Sequence, residues 1–264
     1  MESVDDGLRG KVVLVTGGSH GLGLEIARAL LAAGGSVLVS GRDPNVLADA
    51  ERQLSPHGDR VCAVRCDIRD EGQVGEMVDA AVGRFGGIDG LVNNSGVAGP
   101  TAPVLDSDPA QWRDAVEVNL VGTYLCCRAV LPSMVKAGGG SIVNIGTMTA
   151  KRPLYGRTSY AAGKSGLIGF TRTLAFEVGQ FGIRANVVSP GPVDGPRMDR
   201  VFAAQAESRG ISVDEARAEM LDESPLRKLT PASDVASAVT FLMGPGAGSI
   251  TGEDVNVSAG IVMY

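Results

Sequence analysis

The chain has 264 residues, 44% apolar and 20% charged, which supplies one sizeable core and argues against a disordered or disulfide-stapled chain. Thirty acidic against 24 basic side chains leave a net charge of −6, and no dense basic run offers itself to a string of phosphates, so no nucleic acid partner is expected. Apolar runs such as Val12–Val15 fall far short of the roughly 20 residues of a spanning helix, so no membrane is expected either.

Met1 to Asp6, Met-Glu-Ser-Val-Asp-Asp, lack the basic start and long apolar stretch of a signal peptide, which points to the cytoplasm. Strands are expected at Lys11–Val15, Ser36–Ser40, Arg60–Arg65, Gly90–Asn93, Gly140–Ile145, Arg184–Val188 and Asp254–Val257, most of them nearly continuous apolar runs. Between the first two, Leu22, Ile26 and Leu30 with Ala27 and Leu31 repeat at helical spacing, and Gly34-Gly35 closes that helix. Further helices are expected at Pro44–Leu54, Glu71–Phe85, Pro109–Val135, Ser159–Phe181 and Ala232–Met243. Strands alternating with helices predict an α/β fold with a parallel sheet buried between two helical layers. Cys62, Cys66, Cys126 and Cys127 lie in apolar surroundings with only His20 and His57 as imidazole partners, so they read as reduced packing residues and no metal is expected.

No linker divides the chain, so residues 1–264 form one domain. The stretch Gly191–Thr230 breaks the rhythm, with Pro192, Pro196 and Pro225 around two short helical patterns, Arg197–Ser208 and Val213–Leu221. Excursions of that length usually serve binding, and 193–226 are read as a substrate lid. Pro192, Met198, Val201, Phe202, Met220 and Leu221 would suit an apolar or cyclic substrate, whereas Lys151, Arg197 and Arg200 could meet an acid.

The first strand runs directly into Thr16-Gly17-Gly18-Ser19-His20-Gly21-Leu22-Gly23 and then into a helix. Glycines there let the main chain turn sharply and approach a pyrophosphate, while the new helix aims free N–H groups and its positive end at the anion. With Asn93-Asn94-Ser95-Gly96, Asn119, Ile142-Val143-Asn144-Ile145, Tyr160-Ala161-Ala162-Gly163-Lys164 and Pro190-Gly191, the sequence resembles the short-chain dehydrogenase/reductase family nearly end to end, and is similar to its 3-oxoacyl-carrier-protein reductase-like members. The resemblance implies a single Rossmann-like, doubly wound sheet of about seven strands, a nicotinamide dinucleotide and a hydride-transfer site. It implies cofactor contacts from Gly17, Ser19, His20, Gly21, Leu22, Gly23, Asn94, Ser95, Gly96, Pro190, Gly191 and Val193, besides Tyr160 and Lys164. Ser95 stands where the family usually has Ala, Thr147 where it has the catalytic Ser, and Gly195 where a Thr often meets the nicotinamide amide.

Tyr160 and Lys164, at i and i+4, project from one face of a helix. A phenol with an ordinary pKa of about 10 is a poor acid near neutrality, and a close ammonium favours its ionised form. The pair then suits proton exchange with a carbonyl or alcohol oxygen while hydride moves at carbon. Thr147, thirteen positions before Tyr160, matches the spacing of the family's serine and offers a hydroxyl for the developing charge, with Thr149 the competing candidate. Asn119 resembles the family's fourth catalytic residue, or else is an ordinary polar residue inside a helix.

At the end of the second strand an acidic residue would accept the ribose hydroxyl of NAD, but Gly41 and Arg42 stand there. A guanidinium suits a 2′-phosphate, and can also stack on adenine or simply be solvated, so NADP(H) is expected over NAD(H). Asp67-Ile68 resembles the family's adenine-binding pair, although Asp67 could equally cap the next helix. The expected protein is a reductase or dehydrogenase for a small ketone or secondary alcohol, and the alternative is a non-redox task on the same fold, lyase- or dehalogenase-like or nucleotide-sensing. A homotetramer is expected through the two long helices, with Gly163, Gly166 and Gly169 allowing close approach.

Overall fold

The computed structural model describes residues 7–264, apart from the side chains at 204, 205 and 208. Met1–Asp6, on which the cytoplasmic expectation rests, lie outside the described residues. Seven parallel strands form one sheet in the order β3-β2-β1-β4-β5-β6-β7: β1 Val12–Thr16, β2 Ser36–Gly41, β3 Val61–Arg65, β4 Gly90–Asn93, β5 Gly140–Ile145, β6 Ile183–Pro190 and β7 Asp254–Val257. All seven expected strands are present, and β6 extends two residues further, to Pro190.

Period-two alternation divides the strand residues between two cores. Val13, Val15, Val37, Val39, Val92, Val143 and Val188 face α1 Gly21–Ala32, α2 Pro44–Leu54 and α9 Ala232–Met243. Leu14, Leu38, Leu91, Ile142 and Ala185 face the opposite layer, α3 Glu71–Phe85, α5 Gly122–Ala137 and α6 Thr158–Val178. The central strands are buried on both faces, as their apolar runs predict, and the edge strands β3 and β7 are half-buried. Local signals set the helix ends: Asp43 caps α2 through the N–H groups of Asn45 and Val46, and Asp70 caps α3 through Gln73 N–H. Asp70, not Asp67, is therefore the cap of α3.

The expected helix Pro109–Val135 is three pieces, α4 Pro109–Val116, a π-helical turn Glu117–Val121, and α5. Taken together, Pro109–Ala137 is long and apolar enough to cross a membrane by length and composition, a point that short uninterrupted runs do not reveal. Here it lies on the sheet, with Val118, Cys126, Cys127, Val130 and Met134 in the core. A Cβ on Gly163 would come within 3.0 Å of Asn119 Cβ, and one on Gly166 within 2.8 Å of Leu120, so these glycines seat α6 on the π turn of the same chain. Gly169 alone of the three faces open space. After β6, α7 Pro196–Arg209 and α8 Val213–Glu223 pack on each other around Phe202, Ala216 and Leu229.

Candidate active site

The strand order reverses between β1 and β4, and a crevice opens there at the carboxyl ends of the strands. The turn after β1 is built for close main-chain approach. Gly17 and Gly21 have φ of +62° and +55°, and a Cβ on Gly23 would lie 2.1 Å from Gly17 O and 2.4 Å from Asn94 Nδ2. Asn94 donates from Nδ2 to Thr16 O and Gly17 O, while Thr16 Oγ1 accepts the N–H groups of Asn94 and Ser95. His20 opens α1 with extended backbone and no side-chain cap, which leaves the first-turn N–H groups without a capping side chain among the described residues. Ser19 Oγ lies 3.2 Å from His20 Nδ1, and Leu22 packs at the edge of the first core. This cradle fits the diphosphate of a dinucleotide.

The far end of the crevice is equally shaped. A Cβ on Gly41 would meet Ser19 Oγ at 2.7 Å, so a side chain at that position requires the Ser19 hydroxyl to move. A cavity of about 390 Å³ lies beside it, lined by Arg42, Asp43, Arg65, Asp67 and Gln73. Arg65 ends β3 in register with Gly41 and its Nε donates to Arg42 O at 3.2 Å. Sequence reading missed Arg65, whose only signal is a basic residue closing the strand that pairs with β2. Asp67 is engaged by Arg69, which holds its carboxyl below the usual range, and Arg69 also reaches Asp114. Ile68 is buried in the core, where a Cβ on Gly122 would strike it.

Across the crevice, Tyr160 and Lys164 lie on the first turns of α6, Tyr160 half-buried and Lys164 buried. Lys164 Nζ donates to Ile145 O at 2.7 Å. Burial, then the positive charge of Arg197, bring its pKa down from 10.5 to about 8. Beside it a Cβ on Gly96 would lie 2.7 Å from Asn119 Oδ1 and 3.4 Å from Lys164 Nζ. Asn119 accepts from Val97 N–H and donates to Val97 O and Ala115 O. The last bond takes the carbonyl that an α-helix would give to the Asn119 amide, and the helix widens into the π turn there. Asn119 thus joins the β4 loop to the site.

Thr147 and Thr149 are both buried, at the end of β5. Thr147 Oγ1 caps the one-turn 3-10 helix Met148–Ala150 by accepting Thr149 N–H at 3.3 Å, and the two hydroxyls are 3.5 Å apart. Below them, Asn93, Asn144 and Thr171 form a buried chain of hydrogen bonds linking β4, β5 and α6. Gly191 N–H donates to Val257 O and a Cβ there would meet Ser258, while Val193 bridges to Thr230. Gly195, at φ +138°, opens α7.

Two expectations about substrate contacts change. Lys151 turns away from the crevice to pair with Asp254, and Phe202 is fully buried in the small core between α7 and α8, with Met198, Met220 and Leu221 packed around it. Among the described residues no cluster of His, Cys, Asp or Glu could hold a metal. Burial pushes the Cys66 and Cys127 thiols up to about 11 and about 12, which makes them poor nucleophiles.

Comparison with known proteins agrees with this geometry. The family model for short chain dehydrogenase matches residues 11–206. A 3-oxoacyl-[acyl-carrier-protein] reductase of Salmonella typhimurium is 34% identical over 254 residues, covering 96% of this chain and 98% of the relative. A crystal structure of an actinorhodin polyketide ketoreductase variant with NADPH superposes with a TM-score of 0.91 at 34% identity, covering 96% of this chain and 98% of that one. A crystal structure of NAD+-bound xylitol dehydrogenase gives 0.90 at 28% identity, covering 96% and 99%.

Proposed function

We propose, from the premise that this chain belongs to the short-chain dehydrogenase family, that it is an NADPH-preferring ketoreductase working with Tyr160, Lys164, Thr147 and Asn119. It is an NAD(P)-dependent oxidoreductase that interconverts a ketone and a secondary alcohol. The observation that carries the assignment of residues is the buried Lys164, one helical turn from Tyr160 and beside Asn119, in the crevice where the strand order reverses.

The nicotinamide supplies or accepts the hydride. Gly17, Ser19, His20, Gly21, Leu22 and Gly23 would hold the diphosphate, Asp67 and Ile68 the adenine, and Asn94, Ser95, Gly96, Pro190, Gly191 and Val193 the remainder. Arg42 and Arg65 would hold a 2′-phosphate between them, and Gly41 offers no carboxylate to select NAD. Tyr160 exchanges a proton with the substrate oxygen, and the Thr147 hydroxyl donates to the same oxygen as charge develops. Lys164, held on Ile145 O, provides the positive field. Residues 193–226 form a lid whose small core lets it move as a unit. The exposed Phe176, with Tyr124 and Phe170, supports a homotetramer through α5 and α6.

The test is turnover with NADPH and a panel of small ketones, alongside Tyr160→Phe. The variant should still bind NADPH and reduce nothing. Full turnover by Tyr160→Phe overturns the reading.

A further inference from the structure

The Lys151–Asp254 pair differs from every other ion pair among the described residues. Its side chains are 10% and 5% exposed, whereas both partners of each of the others are at least a quarter exposed. Exposed pairs contribute little, but a buried pair is costly to assemble and costlier to break on one side. Lys151 Nζ lies 2.8 Å from Asp254 Oδ2, in an approach without hydrogen-bond geometry, and donates to Asn256 Oδ1 at 2.5 Å. Ser189 Oγ donates to Asp254 Oδ1 at 2.6 Å. Asn256 Nδ2 donates to Tyr264 O, and Tyr264 OH donates back to Lys151 O.

Both arms of this cluster reach the main chain that carries Thr147. A Cβ on Gly146 would lie 2.6 Å from Ser189 Oγ, so Ser189 backs the residue before Thr147. On the other side Lys151 N–H donates to Met148 O and closes the turn that Thr147 caps. Ser165 Oγ on α6 donates to Ala150 O in the same turn. A single 3-10 turn is weakly held by its own hydrogen bonds. Here, loosening it would draw Lys151 away and leave Asp254 as a buried charge without its counter-ion, so the open state is penalised heavily.

We propose that Lys151, Asp254 and Ser189 are positioning residues that fix the Thr147 hydroxyl against the substrate oxygen, an inference that rests on the reading of Thr147 as the hydroxyl donor. Misplacement of such a group by about 1 Å costs on the order of 100-fold in rate. The test measures turnover, NADPH affinity, melting temperature and amide hydrogen exchange at 147–151 for Asp254→Asn, Lys151→Met and the double variant. The double variant leaves no orphan charge and keeps the test valid if a single variant fails to fold.

All three are expected to lose about 10- to 100-fold in kcat, with NADPH affinity unchanged and faster exchange at 147–151. Lys151→Arg should retain most of the turnover, and Asp254→Asn should cost nothing further in a Thr147→Val background. A double variant that melts lower but keeps wild-type kcat and exchange makes the pair merely structural and overturns the proposal. Full turnover by Thr147→Val instead overturns the underlying reading of Thr147.

Discussion

Lys164 places an ammonium where water barely reaches, so removing it has a consequence for stability that depends on pH. Its folded pKa is about 8 against an ordinary 10.5, first because of burial and then because of Arg197. Between those values the unfolded chain holds a proton that the folded chain has released, so stability rises with pH through the window and levels off above it. The penalty below pH 8 is roughly 3 kcal/mol at about 1.4 kcal/mol per pH unit. In Lys164→Met the penalty disappears. The variant also loses the bond to Ile145 O, which costs about 1 kcal/mol. That loss is nearly independent of pH and cancels when two pH values are compared. Urea unfolding of both proteins at pH 7 and pH 10, at one protein concentration, should show the wild type gaining roughly 2–3 kcal/mol relative to Lys164→Met on going to pH 10. Parallel behaviour, within about 1 kcal/mol, would refute the claim that the folded protein holds this charge at a cost.

Thr147→Val should lower kcat about 100- to 1000-fold, as loss of an oxyanion donor does, with NADPH affinity hardly moved, while Thr147→Ser keeps most activity and Thr149→Val is mild. Loss of turnover in Thr149→Val alone would put the catalytic hydroxyl at Thr149. Arg42→Ala should weaken NADPH binding by about one to two decades and spare NADH, with Arg65→Ala a smaller loss of the same selectivity, both read by fluorescence titration. Equal losses for the two cofactors would mean that Arg42 only stacks on adenine. Proteolysis should cut first within 193–226, and cofactor with substrate should slow amide exchange there; an unchanged pattern argues against a lid. Light scattering at micromolar concentration should return a tetramer mass, and a monomer mass would refute the assembly.

Much of the site is legible in sequence because its parts are local. The glycine turn joins one strand to the next helix, Tyr160 and Lys164 share one helix face, and Thr147 follows a recognisable strand. Strand and helix periods placed the sheet and both helical layers for the same reason. Where several elements must meet, local pattern is silent. At the π turn Glu117–Val121 the Asn119 side chain takes Ala115 O within the helix and bonds Val97 in the β4 loop, a contact 22 residues away. Gly163 and Gly166 look like an open small-residue face until α6 is seated on that turn.

The arginine at the end of β3 gains its meaning only when strand register sets Arg65 beside Gly41 and Arg42. Lys151 looks like a free cation near the crevice, and only the meeting of β5, β6 and β7 supplies Asp254, 103 positions along, as its partner. The sequence by itself determined the order of elements, the glycine turn after β1 and the shared helix face of Tyr160 and Lys164, since each follows from dihedral preference and spacing along a short stretch. The fold alone decided which charges are buried and which carbonyls are contested, because desolvation and hydrogen-bond competition depend on neighbours that chain order does not bring together.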